Sequence, residues 1–120
     1  MTYQTVLVLM LLGHLVADYT LQGWLADGKQ KAWWKKMFGG EIPGKYKYDY
    51  IAGLACHSLY WAILVCAPFY ASWWFLGAVL LNAVVHMVVD DLKANRMVIN
   101  LVEDQLLHLL QILVTFYFMI

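Results

Sequence analysis

The chain has 120 residues, of which 63% are apolar and only 13% charged, and its eight Lys+Arg balance eight Asp+Glu. Soluble domains run nearer ~45–50% apolar and ~25% charged, so this composition, with a mean hydropathy of +0.64, excludes a soluble globular domain and a disordered tail. The zero net charge speaks against a basic nucleic-acid binder, and the expectation is one integral membrane domain over residues 1–120 with no nucleic-acid partner.

In chain order, a first apolar run covers residues 3–24. It lacks a basic n-region and a small-residue cleavage site, and it carries His14 and Asp18, so it reads as a permanent span and not a leader. Residues 25–49 form the one substantial loop, where Trp24, Trp33, Trp34, Phe38, Tyr46, Tyr48 and Tyr50 are interleaved with lysines. Residues 25–38 are predicted to be a short amphipathic helix lying along the inner membrane surface, ended by Gly39, Gly40, Pro43 and Gly44. Such a segment serves as a topology anchor or recruits anionic phospholipid headgroups.

Between Asp49 and Asp90 lie forty residues without one charge. Pro68 divides them into two spans, residues 50–67 and 73–92, and a last run covers 98–120. Four spans of ~20 residues predict an all-α fold, an integral membrane four-helix bundle. Close helix packing is expected where Gly13, Ala17, Gly53, Gly77 and Ala83 permit it. Cys56 and Cys66 are ten residues apart on one helix, hence ~15 Å along its axis, and form no disulfide.

The basic residues orient the bundle. Lys29, Lys31, Lys35, Lys36, Lys45 and Lys47 lie between spans one and two, and Lys93 and Arg96 between spans three and four. The positive-inside rule makes both loops cytoplasmic and puts both termini outside. The lipid bilayer of a bacterial inner membrane is then the expected setting.

Ionisable groups within apolar spans are rare and usually functional. Span one carries His14, Asp18 and Gln22, each four apart; span three carries Asn82, His86, Asp90 and then Lys93; span four carries Asp104, His108, Gln111 and Thr115; His57 lies near the start of span two. At ~100° per residue a step of four advances only ~40°, so each set lines one helix face. The topology derived from Lys and Arg alone puts all four histidines in the cytoplasmic half, where the four helices can share one site.

His14, His57, His86 and His108 with Asp18, Asp90 and Asp104 make a nitrogen and oxygen ligand set suited to a divalent metal, Zn, Fe or Mn. Seven ligands exceed one tetrahedral ion, so one or two ions are open, with polar neighbours such as Gln22, Asn82 and Gln111 supporting the ligands from behind. A metal-free His–Asp hydrogen-bond network or a proton relay is the alternative.

The segments GHLVADYTLQ at 13–22, HMVVDDLK at 86–93 and EDQLLHLL at 103–110, with His57 between them, resemble the domain of unknown function 3307, small membrane proteins of bacteria and their phages. More distantly they are similar to membrane-bound metal-dependent hydrolases. The matched positions are His14, Asp18, Gln22, Lys29, His57, His86, Asp90, Lys93, Asp104, Gln105 and His108. The chain departs from the pattern between Lys29 and His57, a longer stretch than expected.

The resemblance implies a metal-dependent hydrolase at the cytoplasmic face, since a metal lowers the pKa of bound water to ~7. Asp18 or Asp104 is then a candidate base. Lys93, with Arg96 or Lys29, is positioned to hold the phosphate of a lipid or amphiphilic phosphoester. Other readings are a metal-ion or proton conduit and a non-catalytic membrane effector that binds a host protein. The outer halves of the spans offer mainly Asn82, Gln111 and Thr115 to a conduit, which needs polar lining at both ends.

Overall fold

The computed structural model describes residues 1–120 and contains six α-helices and no strand. The first, α1, spans Tyr3–Leu15 and widens into a π-helical turn over Val16–Thr20. Two short helices follow, α2 over Leu25–Gly28 and α3 over Lys31–Met37, then α4 over Asp49–Cys66, α5 over Phe75–Ala94 and α6 over Leu101–Met119. Three helical stretches, Gly44–Phe69, Phe75–Ala94 and Leu101–Met119, are long and apolar enough to cross a membrane.

Local chemistry explains where these helices begin and end. The 3-10 turn Ala67–Phe69 with Pro68 near its start terminates α4, as the proline predicts. The last helix starts at residue 101 and not at 98, because Asn100 is its N-cap. The Asn100 carboxamide oxygen accepts from the Glu103 N–H at 2.9 Å, and the Glu103 carboxylate accepts from the Asn100 N–H at 3.2 Å. Before it, Met97 takes a left-handed conformation with φ of 54°, which turns the chain sharply between α5 and α6.

The first helical segment is shorter than the predicted 3–24. Within the π turn, the Leu21 N–H reaches back five residues to the Val16 carbonyl at 2.8 Å, and Gly23 at φ 51° then ends the run. Gln22 therefore does not continue the helical face of His14 and Asp18. It folds back instead, its side-chain Nε2 donating to the Asp18 carbonyl at 2.8 Å.

The long helices pack as neighbours: α4 lies along α5, α1 along α4, and α6 touches both α5 and α1. Two glycines make this closeness possible. A Cβ on Gly13 would sit 2.7 Å from the Leu64 carbonyl oxygen, so α1 and α4 approach backbone to backbone there. Gly53 does the same against the Gly28 backbone and docks α2 onto α4. Gly77 departs from expectation, for nothing lies within 4 Å of where its Cβ would be.

The loop also differs from its prediction. A single surface helix over 25–38 is replaced by two short helices joined at Lys29 and Gln30, because Gly28 and Lys29 are buried against the long helices. Trp24, Trp33 and Trp34 pack edge to face around this corner.

Burial is inverted relative to a water-soluble protein. Alongside apolar core residues such as Met10, Trp61 and Ile112, the interior holds all four histidines, Lys29, Asp90 and Asp104. Leucines and valines of α5 and α6, Leu80, Leu81, Val84, Leu106 and Leu110 among them, face outward.

Candidate metal centre

The centre is assembled from α1, its π turn, α4, α5 and α6. The π turn carries Asp18, and such wide turns recur at functional sites because they re-aim one side chain. Asp18 Oδ1 stands 3.2 Å from His57 Nε2 on α4 and 3.7 Å from His86 Nε2 on α5. One turn after His86, Asp90 brings Oδ2 to 3.3 Å from His57 Nε2 and 3.7 Å from His86 Nε2. The two Nε2 atoms are 3.1 Å apart. His57 Nε2 and His86 Nε2 thus each face both carboxylate oxygens, and the four atoms come from three separate segments.

This arrangement can be compared with what an ion requires. Ligands about 2.0–2.1 Å from one ion at tetrahedral angles lie about 3.3–3.4 Å from each other. Five of the six separations among these atoms, all but that between the two carboxylate oxygens, run from 3.1 to 3.7 Å and bracket that value. Hard carboxylate oxygens with imidazole nitrogens suit Zn, Fe or Mn.

A second group adjoins the first through Asp90. His108 Nε2 lies 3.3 Å from Asp90 Oδ1 and 3.3 Å from Asp104 Oδ1. His86, Asp90 and His108 again form a set of the size that holds a cation, as Asp18, His57 and His86 do. Asp90 is therefore shared, one oxygen toward each group.

The rings are held by stacking. His86 packs nearly parallel to Trp61, with ring centres 4.2 Å apart, and to His108, at 4.0 Å, while Trp61 and His108 also touch each other at 5.6 Å. The Nδ1 atoms of His57, His86 and His108 are buried without a hydrogen-bond partner. Tautomer choice at these rings is consequently governed by what their Nε2 atoms face.

His14 differs from the other three. Its Nδ1 accepts a hydrogen bond from Trp61 Nε1 at 2.9 Å, and its Nε2 faces Gln105 Oε1 at 3.0 Å. The indole N–H can only donate, so the His14 proton sits on Nε2 and is given to Gln105. Both nitrogens are engaged, and the ligand role expected of His14 gives way to a positioning one. Gln105 passes the order on, donating to Asp104 Oδ2 at 2.9 Å and to Asp18 Oδ2 at 3.3 Å.

Two lysines complete the shell. Lys29 Nζ donates to Asp90 Oδ2 at 2.7 Å and to Gln22 Oε1 at 2.6 Å. The longer stretch between Lys29 and His57 does not keep this lysine away, because the α2–α3 corner folds inward. Lys93 Nζ donates to Asp104 Oδ2 at 2.9 Å, and its side chain, 26% exposed, is the more open of the two. Arg96 sits elsewhere, 69% exposed and paired with Asp91.

Asn82 and Gln111 form a separate polar group. Gln111 Nε2 donates to the Asn82 carbonyl at 2.8 Å and to its Oδ1 at 2.9 Å, and Thr115 adds a bond to the same Oδ1 at 3.0 Å. They bond to one another between α5 and α6, with Gln111 Oε1 buried and unpartnered, and make no hydrogen bond to the His/Asp centre.

Trp61 is the functional residue that sequence reasoning missed. A tryptophan in an apolar span looks lipid-facing, yet it is fully buried. Its four-residue spacing from His57 was the available signal, since it places both on one face. No family model, curated protein or solved structure matches the chain.

Proposed function

We propose that the chain is an integral membrane protein whose long helices form a four-helix bundle around a divalent-metal centre, and that it acts as a metal-dependent hydrolase. The observation that carries this reading is that His57 Nε2 and His86 Nε2, 3.1 Å apart, each stand 3.2 to 3.7 Å from both Asp18 Oδ1 and Asp90 Oδ2. Outward apolar faces with a polar interior suit a hydrocarbon surround, where ionisable groups turn toward the bundle. The basic loops support a centre on the cytoplasmic side of a bacterial inner membrane.

Charge is compatible with the same conclusion. Asp18, Asp90 and Asp104 gather at the centre with Lys29 and Lys93 as their lysine partners and with His108 Nε2 3.3 Å from oxygens of Asp90 and Asp104. A divalent ion held by Asp18, His57, His86 and Asp90 would join these cations and would lower the pKa of bound water to about 7. His108, with Nε2 between two carboxylate oxygens, is the group suited to take up and return a proton at that atom. Asp104 orients it, which replaces the direct base role expected of Asp18 or Asp104. Lys93, on the more open side, is placed to hold an anionic substrate group as a point charge.

The substrate class that fits a site at this depth is a lipid or amphiphilic phosphoester. The resemblance of the three His/Asp segments to domain of unknown function 3307, and distantly to membrane-bound metal-dependent hydrolases, points the same way. Protein in detergent, supplied in turn with Zn, Mn and Fe(II), is expected to hydrolyse a chromogenic phosphoester, and Asp90→Asn and His108→Gln are expected to abolish turnover. Undiminished hydrolysis by both variants, or none by the wild type across a lipid phosphoester panel, would reject the assignment.

A second reading, an ion or proton conduit, draws on the Asn82–Gln111–Thr115 group beyond the centre. Proteoliposomes that dissipate a pH or metal gradient, and lose this with Asn82→Leu, would favour it.

A further inference from the structure

Among the eight basic residues, Lys29 alone is buried, at 6% exposure. Its ammonium occupies Asp90 Oδ2 at 2.7 Å. That oxygen is also one of the four atoms that converge on the proposed ion position, 3.3 Å from His57 Nε2 and 3.7 Å from His86 Nε2. A ligated ion lies about 2.0–2.2 Å from a carboxylate oxygen. With Nζ 2.7 Å from the same atom, ion and ammonium would be at most about 5 Å apart, with little water between them to screen their repulsion. One oxygen faces two cations.

The placement of Lys29 is built into the backbone. Asn95, just past the end of α5, grips the peptide on both sides: its Nδ2 donates to the Lys29 carbonyl at 3.0 Å and its Oδ1 accepts from the Lys31 N–H at 2.6 Å. Asp91 Oδ1 accepts from the same Asn95 Nδ2 at 2.8 Å and steadies it. Trp34 Nε1 donates to the Gly28 carbonyl at 2.8 Å, and Gly28 lies against Gly53 of α4, where any Cβ would collide with it. Lys31, Lys35 and Lys36, by contrast, are exposed.

Resting on the metal reading above, we infer that Lys29 is a tethered cation that holds the ion's place on Asp90 in the ion-free chain, and that an entering divalent ion displaces it. Displacement withdraws the side chain that pins the α2–α3 corner inward. It therefore loosens the Asn95 grip and the Trp24–Trp33–Trp34 cluster. The ion-free interior keeps its carboxylate neutralised, and occupancy of the centre is reported on the basic, aromatic segment outside it.

The test compares wild type, Lys29→Met and Asn95→Ala as full chains in detergent, titrated calorimetrically with Zn²⁺ and then Mn²⁺. Removing the competing ammonium is expected to tighten ion binding at least about tenfold, with a smaller gain for Asn95→Ala. In the wild type, saturating ion should speed trypsin cleavage after Lys31, Lys35 and Lys36. In Lys29→Met cleavage should be fast from the start. Equal or weaker binding by Lys29→Met overturns the displacement while leaving the metal reading intact. Should that variant not fold, wild-type cleavage unchanged by ion overturns it equally. No ion binding by wild type or either variant overturns both readings together.

Discussion

Asp90→Asn removes the one carboxylate that faces both halves of the centre. In the wild type Asp90 is 1% exposed and its Oδ2 accepts from the Lys29 ammonium at 2.7 Å. The variant strands that ammonium in a site where Gln22 Oε1, at 2.6 Å, is its only other hydrogen-bond partner. Breaking a buried pair from one side costs about 3–5 kcal/mol, and the Asn side-chain oxygen, still able to accept, puts the expectation near the lower end. Lys29→Met alone takes the ammonium from the carboxylate, which keeps His108 Nε2 3.3 Å from its Oδ1, and the cost is again expected near the lower end of that range.

The double variant Asp90→Asn/Lys29→Met removes both charges and leaves chiefly Gln22 Oε1 without a donor, a loss of about 1–3 kcal/mol. The two substitutions are therefore expected to couple by at least about 2 kcal/mol. Unfolding by sodium dodecyl sulfate in mixed dodecyl-maltoside micelles, followed by far-ultraviolet circular dichroism, measures all four corners of the cycle without added ion. Additive losses would refute the reasoning, because they would mean that the two groups do not neutralise one another inside the protein. Added Zn²⁺ should restore Lys29→Met but not the double variant, which lacks the ligand.

Three further outcomes follow from the packing. Trp61→Phe removes the donor to His14 Nδ1 and is expected to cost at least about 1–3 kcal/mol, measured by the same unfolding assay, while His14→Gln in that background should cost little more. Gly53→Ala forces a Cβ into the Gly28 backbone and should destabilise by about 1–3 kcal/mol, whereas Gly77→Ala, in open space, should be neutral or gain up to about 1 kcal/mol. Asn82→Ala removes the Oδ1 that is Thr115's acceptor and one of two for Gln111 Nε2 and should lower stability by about 1–3 kcal/mol while leaving ion affinity, read by calorimetry, unchanged.

Much of the centre is legible in single residues and their spacing. The pairs His14–Asp18, His86–Asp90 and Asp104–His108 are each four apart, and the charge-free stretch broken at Pro68 marks where the chain turns from α4 to α5. What stays hidden depends on departures from regular geometry. A regular α-helix assumed through residue 22 puts Gln22 on the helix face. The π turn at Val16–Thr20 re-aims Asp18 and sends Gln22 back toward Lys29 instead.

Hydropathy weighs Trp61 as an apolar ring and misses its N–H, the feature that settles the His14 tautomer. Lysine-rich segments read as solvated surface, so the inward path of Lys29 becomes visible only through Gly28, Gly53 and Asn95, three residues far apart in the chain. Asn82 and Gln111 share helix faces with His86 and His108, yet they bond to each other one turn away. Periodicity identifies a face and leaves the partner open.

The central claim is that Asp18, His57, His86 and Asp90 hold a divalent ion while His14 only positions its neighbours. Elemental analysis of detergent-purified protein tests it most directly, with wild type, His57→Ala, His86→Ala and His14→Ala loaded with Zn²⁺ and desalted. The account predicts about one or two ions per chain in the wild type, most of them retained by His14→Ala and at least one lost from both other variants. Full occupancy in His57→Ala and His86→Ala, or no ion in the wild type, would contradict it.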